Sequence, residues 1–136
     1  MNNAAMQPAP VLQVEKAGKI FRDFWHRPRV RAVRDLSFDI KPGEVFGLLG
    51  PNGSGKSTTL KMIVGLLRPT EGRIRVLGAP PTDVKRKERI GYLPEDSYLY
   101  PYLSCEETLD FFGRLFNLSR DQRRERIHQL LDMIGL

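Results

Sequence analysis

Alternation of hydrophobic and polar residues predicts β-strands in the first two thirds of the chain. Two of the segments are continuous apolar runs, and the first of these, residues 45–49, is typical of a strand covered on both faces. Residues 24–31 are aromatic and basic and are predicted to form a loop between the first two strands. The predicted strands are residues 11–21, 36–40, 45–49, 73–77 and 90–93.

Apolar residues spaced three and four apart predict helices in other parts of the chain. One helix is predicted to begin near Gly55 and to end before Pro69. Ser104 and Ser119 each stand three residues before a glutamate or a glutamine, which is the capping-box signature of a helix amino terminus. The helix after Ser119 should carry one apolar face over residues 127–134.

Composition and charge narrow the class of protein. The 136 residues are 40% hydrophobic and 28% charged, which is typical of one soluble globular domain. The single cysteine, Cys105, excludes an internal disulfide, and a reducing compartment fits. No apolar run approaches the roughly 18 residues of a spanning helix, and residues 1–10 have no secretory signal and are expected to form a disordered tail. The net charge of +6 suits an anionic partner without choosing among a nucleotide, a nucleic acid and a membrane surface.

Residues 50–57 match G-x-x-x-x-G-K-[ST], a loop that cradles phosphate. Its glycines adopt backbone angles that other residues resist, and its amides form an anion nest at the start of a helix. Lys56 supplies a full charge to the β- and γ-phosphates, and Ser57 offers an oxygen ligand to Mg²⁺. The apolar run before the loop and the helical pattern after it are the context that this motif requires. The loop therefore predicts binding of a nucleoside triphosphate with Mg²⁺.

Four segments resemble the ATP-binding cassette (ABC) ATPases. Residues 50–58 are similar to the Walker A motif of that family, and residues 32–38, Ala-Val-Arg-Asp-Leu-Ser-Phe, resemble the strand before it. Residues 65–72 resemble the exit from the Walker helix, and residues 90–95, Ile-Gly-Tyr-Leu-Pro-Glu, occupy the position of the Q-loop. The resemblance covers residues 11–136.

This resemblance implies an α/β fold, with a P-loop NTPase (RecA-like) core and an amino-terminal antiparallel β subdomain. Residues 11–136 would be a partial ABC ATP-binding domain, truncated before the signature motif, Walker B, the catalytic glutamate and the switch histidine. His26 and His128 do not occupy the positions that could replace them. Because phosphoryl transfer needs a metal-binding carboxylate and a residue that positions water, we expect this chain to bind ATP without hydrolysing it efficiently.

The family pattern also assigns site residues. Phe21 best matches the aromatic residue that stacks on adenine, although a core aromatic would fit the same position, and Trp25 is a second candidate. Ser57 and Glu95 would hold the metal, with Glu95 standing where the family usually has glutamine. The residues expected to contact the nucleotide are Phe21, Val33, Gly50, Pro51, Asn52, Gly53, Ser54, Gly55, Lys56, Ser57 and Thr58.

The segment Leu93-Pro94-Glu95 and the tyrosines that follow it resemble the exporter branch of the family. The resemblance implies the ATP-binding subunit of a membrane exporter, which uses ATP and Mg²⁺ to drive transport by a separate transmembrane permease. Residues 95–102 would face the permease, a second ABC subunit would form a dimer with this one, and no nucleic acid is expected. The protein would be cytoplasmic and peripheral on the inner face of the plasma membrane.

Two other functions remain open at this point. One is a non-transport ABC ATPase of translation or DNA repair, a class that usually carries paired cassettes or long insertions. The other is a different P-loop protein, such as a kinase or GTPase, against which Pro51-Asn52 and the segment 93–95 argue. The arginines of residues 22–34 could approach lipid headgroups or nucleic acid, or form a solvated loop and strand face.

Overall fold

The computed structural model of the chain describes residues 9–25, 27–95 and 99–136. These residues form two compact units, one ending at Tyr92 and the other spanning Leu93–Leu136. Most of the tail predicted at residues 1–10, the residue His26 and residues 96–98 of the tyrosine segment lie outside the described residues.

The first unit contains an antiparallel sheet of three strands in the order β2-β1-β3. The central strand β1 is Leu12–Arg22, β2 is Pro28–Ile40 and β3 is Glu71–Val76. The strands predicted at residues 11–21 and 73–77 are confirmed within two residues, and the strand predicted at residues 36–40 is confirmed as the end of a longer β2. The loop predicted at residues 24–31 is shorter than expected, because β2 begins at Pro28 and pairs Val30 and Arg31 with the end of β1.

The core of this unit lies where the sheet meets one helix. That helix, α1, is Lys56–Ile63, and its fully buried Met62 belongs to the same core cluster as Val14 and Ala17 of β1. The helix ends before Gly65, whose φ of 73° is the left-handed conformation typical of the residue after a helix end. The predicted helix was thus placed correctly but ends earlier than its apolar pattern indicated. A second, four-residue helix, α2, is Val84–Lys87.

The strands predicted at residues 45–49 and 90–93 are wrong for this structure, which shows no strand in either segment. Val45 is 99% exposed and Leu49 is 93% exposed, so the expected burial on both faces is absent as well. A buried parallel strand requires neighbouring strands, and none of the described residues pairs with this segment. Phe46 instead stacks on Phe38 of β2, with ring centroids 4.6 Å apart.

The second unit contains two helices, α3 at Cys105–Leu115 and α4 at Arg120–Ile134. Both capping boxes are confirmed, since the hydroxyls of Ser104 and Ser119 each accept a bond from the amide three residues later while that residue's side chain accepts from the serine amide. The apolar face predicted on α4 is only partly covered, because Ile127 is buried and Ile134 is 66% exposed.

An ion-pair network joins the two helices through Asp110 of α3. Its carboxylate accepts from Arg123 of α4 at 2.6 Å and from Arg114 on its own helix at 2.7 Å. The hydrogen bond from Arg123, assisted by Arg114, holds the pKa of Asp110 below its usual value against a smaller opposing effect of burial. Among the described residues, no helix is both long enough and apolar enough to cross a membrane.

Candidate functional site

The glycine-rich loop enters α1 through a backbone that only glycine adopts easily. Gly53 and Gly55 have φ angles of 81° and 94°, both in the left-handed region. Between them the Ser54 amide donates to the carbonyl of Pro51 at 3.2 Å, which closes a tight turn. A Cβ at Gly55 would overlap the carbonyl oxygen of Ala32 and approach Val33 Cγ2 to 3.1 Å, so the loop lies directly against β2.

The amino terminus of α1 is open to an anion. Its cap, Gly55, has no side chain to bond the first amides of the helix, and its first turn contains no acidic residue. A helix start of this kind carries a partial positive charge together with unsatisfied N–H donors. A Cβ built at Gly53 would meet nothing within 4 Å, so the loop is open at this position. The loop therefore fits the phosphate groups that its sequence predicts.

Lys56 holds its ammonium group over the loop. Its Nζ donates to the carbonyl oxygens of Gly50 at 2.6 Å and of Pro51 at 2.8 Å. These acceptors are neutral, whereas a phosphate oxygen is an ionised acceptor, and bonds to ionised acceptors are roughly twice as strong. Lys56 is thus positioned to exchange its carbonyl partners for a phosphate.

A cavity of about 450 Å³ opens beside the loop, between it and β2. This volume lies within the range of small-molecule sites, which is roughly 300–1,000 Å³. The charged side chains that line it are Arg31, Arg34 and Lys56, and all three are cationic. Val33 lines the same cavity, so the structure brings this predicted nucleotide contact together with the loop.

A larger cavity of about 720 Å³ opens on the β sheet and includes no residue of the loop. It is lined by acidic Glu15 and Asp39 as well as by basic Lys16 and Arg73. Glu15 and Arg73 already pair with each other at 2.6 Å. The larger cavity therefore has charges of both signs on its wall, and some of them are already paired. It suits a triphosphate less well than the smaller cavity does.

Other predicted site residues are placed differently. Phe21 does not line the cavity beside the loop; it is 39% exposed, and the ammonium of Lys19 lies 5.5 Å from its ring centroid. The core reading of Phe21 is therefore wrong for this structure, and its contact with adenine stays a prediction. Trp25 is also absent from the cavity lining and is 72% exposed. Glu95 belongs to the second unit, and its contact with the metal stays a prediction.

Sequence reasoning missed Arg31 and Arg34, which it treated as part of a basic cluster. Val33 pairs with Lys19 and Arg31 pairs with Ile20, so the ladder has a register shift between them, and sequence spacing offered no signal that both residues line one cavity. Arg31 is held by an ion pair with Glu71 of β3, in which its Nη2 donates to both carboxylate oxygens, at 2.7 and 2.8 Å. Arg34 lines the cavity as well, which gives its wall three cations instead of the one that the motif predicted.

Comparison with known proteins extends these observations beyond the loop. The sequence pattern of the family described as "ABC transporter" matches residues 33–136. The chain is 43% identical over 129 residues to an uncharacterized ABC transporter ATP-binding protein of Synechocystis sp., covering 94% of this chain and 36% of that protein. It is 34% identical over 126 residues to the SkfA peptide export ATP-binding protein SkfE of Bacillus subtilis, covering 93% of this chain and 50% of that protein.

A solved structure shows the same similarity in three dimensions. It is a dimeric ATP-binding cassette in a post-hydrolysis state, bound to ADP and Pi, and it matches with a TM-score of 0.74 and 26% identity. The match covers 92% of this chain and 57% of that one. The chain thus spans between about a third and three fifths of the length of these three proteins.

Proposed function

Because the chain belongs to the ABC transporter family, whose pattern matches residues 33–136, we propose that it binds ATP with Mg²⁺ as part of a membrane exporter. Its fold is that of the family, an α/β P-loop NTPase with an antiparallel β sheet at the amino terminus. The observation that carries the proposal is the loop itself, with its uncapped helix start, its lysine and the cationic cavity beside it.

We assign the phosphates of ATP to Lys56 and to the backbone N–H groups of residues 50–58, except Pro51, which has none. One charge pair at about 4 Å and an intermediate dielectric contributes on the order of 4 kcal/mol before desolvation, which is ample to draw Lys56 from its neutral carbonyl partners. The Ser57 hydroxyl is an oxygen ligand of the kind that Mg²⁺ prefers, and Glu95 is the second ligand that we propose. Bound Mg²⁺ would neutralise part of the triphosphate charge.

We assign the base and ribose to the β2 side of the cavity, at Val33. Arg34 and Lys56 give this cavity positive charge, which suits the polyanion, whereas Arg31 is already paired with Glu71. Phe21 remains the proposed stacking residue, and a stack of a base on an aromatic ring is worth about 1–3 kcal/mol by alanine substitution. The Phe21→Ala variant should therefore bind ATP about five-fold to 150-fold more weakly, whereas equal affinity would remove Phe21 from the site.

The export role is proposed from the relatives and from the exposed tyrosines. One relative is named for peptide export, and that name describes the relative itself. In this chain Tyr102 is 95% exposed and Tyr100 is 57% exposed, and tyrosine is enriched in protein interfaces. We propose that residues 95–102 contact a transmembrane permease and that a second ABC subunit completes the assembly. Attachment through the permease would place the protein at the inner face of the membrane.

Two experiments test these assignments. In competition with a fluorescent ATP analogue, ATP should displace the probe at lower concentration than GTP does, and preferential displacement by GTP would refute the adenine assignment.

Co-purification of a polytopic membrane protein with the tagged chain from its own cells should depend on Tyr102. The Tyr102→Ala variant should lose that protein while Phe116→Ala, which alters another exposed aromatic residue of the same unit, retains it. Recovery of ribosomes or DNA instead would contradict the export role.

A further inference from the structure

The tip of the hairpin between β1 and β2 exposes two adjacent large aromatic residues. Phe24 is 89% exposed and Trp25 is 72% exposed. Their rings contact each other edge to face, with centroids 5.7 Å apart. Neither residue belongs to the core of its unit or lines the cavity beside the phosphate loop. The fold and the proposed nucleotide site therefore leave this pair without a role.

The tip is a built turn that presents these rings. The Asp23 amide donates to the Arg27 carbonyl at 3.0 Å, and the Arg27 amide donates to Asp23 Oδ1 at 2.8 Å. These two bonds close the turn at its base, so that Phe24 and Trp25 stand at its apex. The carboxylate of Asp23, the acidic side chain of the tip, is thereby hydrogen-bonded to the backbone.

Positive charge surrounds the aromatic pair. Residues 19–31 contain five basic residues and one acidic residue, Asp23. The guanidinium of Arg27 lies 5.9 Å from the Trp25 ring centroid, a cation–π distance, and Arg29 follows on β2. Arg31 is paired with Glu71, so the positive charge that we assign to the tip is that of Arg27 and Arg29.

Exposed tryptophan beside arginine is the chemistry of a membrane–water interface. Tryptophan prefers the headgroup level of a bilayer, where its ring is apolar and its N–H stays wet, and arginine is attracted to anionic lipid. We propose that the tip, defined by Asp23, Phe24, Trp25 and Arg27, inserts Phe24 and Trp25 among the headgroups of an anionic membrane. This contact is separate from the permease contact and from the nucleotide site.

The geometry favours a lipid surface over single-stranded nucleic acid. A nucleic acid would stack successive bases on open ring faces. Here the planes of the Phe24 and Trp25 rings are at 88° to each other, and Arg27 lies over the Trp25 ring. The two rings therefore do not form a platform for successive bases. An apolar wedge requires no such platform and needs only rings that project from the protein together.

The test uses Trp25, which is the only tryptophan of the 136-residue chain. Vesicles rich in phosphatidylglycerol should shift its emission to the blue and sediment the protein, and high salt should reverse both effects. Vesicles of phosphatidylcholine alone should do much less. An equal response to both vesicle types, or none to either, would overturn the proposal, as would quenching by an oligonucleotide without any response to vesicles.

Matched variants separate the tip from other exposed residues. Phe24→Ser keeps the reporter and should abolish the shift, whereas Phe116→Ser, at the carboxyl end of α3, should bind as the parent does. Arg29→Glu should weaken partitioning on the order of ten-fold, while Arg124→Glu on α4 should have little effect. Circular dichroism checks that each variant is folded. Retained binding by folded Phe24→Ser would refute the inserted tip.

Discussion

Replacing Gly55 by alanine tests the contact between the phosphate loop and β2 more sharply than any other single change. The new Cβ would overlap the carbonyl oxygen of Ala32 and lie 3.1 Å from Val33 Cγ2. Ala32 lies in β2 between Arg31 and Val33, which both pair with β1, and its carbonyl oxygen is part of the backbone, so it cannot move aside as a flexible side chain would. Either the loop or the strand must shift.

Gly53→Ala is the matched control for this change. Gly53 lies in the same loop with a similar φ of 81°, but a Cβ there would meet nothing within 4 Å. Both variants incur the cost of a left-handed alanine, roughly 1–2 kcal/mol. Only Gly55→Ala adds the overlap with the backbone, and we expect its total loss to reach about 3 kcal/mol or more, a large part of the ~5–15 kcal/mol that typically stabilises a domain.

Urea unfolding followed by far-ultraviolet circular dichroism gives both free energies of unfolding. A fluorescent ATP analogue then measures binding under conditions where each variant is folded. Gly55→Ala should lose more stability and more affinity than Gly53→Ala. If the two variants differ by less than about 0.5 kcal/mol in stability and bind equally, the loop does not rest on β2 as described.

Three further predictions concern the sheet, the helical unit and catalysis. Gly72→Ala, whose Cβ would overlap two carbonyl oxygens of β1, should lower the melting temperature far more than Gly78→Ala, which meets nothing within 4 Å; equal melting would contradict the packing. Since the folded-state pKa of Asp110 is lowered, its ion pairs stabilise above the ordinary aspartate range, and that contribution is lost as the pH falls through the lowered pKa. Asp110→Asn should therefore melt below the parent at neutral pH and lose less stability on acidification, whereas Asp121→Asn should keep the parental profile. Phosphate release should show no steady ATP turnover by the 136-residue chain, and turnover that Lys56→Ala abolishes would refute this expectation.

Local signals in the sequence predicted most of the elements. Alternation identified β1 and β3 closely, and the capping boxes placed the starts of α3 and α4 at Ser104 and Ser119, because period and capping depend on residues a few positions apart. The phosphate motif is similarly local. What the motif alone does not give is the position of Lys56, whose ammonium bonds to two loop carbonyls.

Long-range pairing explains what the sequence could not predict. The apolar run at residues 45–49 has the composition of a buried strand, yet a strand forms only where neighbours pair with it, and composition does not contain that information. Arg31 and Arg34 were missed as cavity residues for a related reason. Their position depends on how the loop packs against β2, which Gly55 allows through its missing side chain.

The central claim is that Lys56 and the loop around it bind ATP with Mg²⁺. Isothermal titration of the 136-residue chain with the magnesium–ATP complex tests it most directly, with Lys61→Ala, in the last turn of the same helix, as the control for losing a lysine. The account predicts saturable binding by the parent and by Lys61→Ala, and binding at least about ten-fold weaker by folded Lys56→Ala, a loss of about 1.4 kcal/mol. No binding by the folded parent, or equal binding by Lys56→Ala, would contradict it.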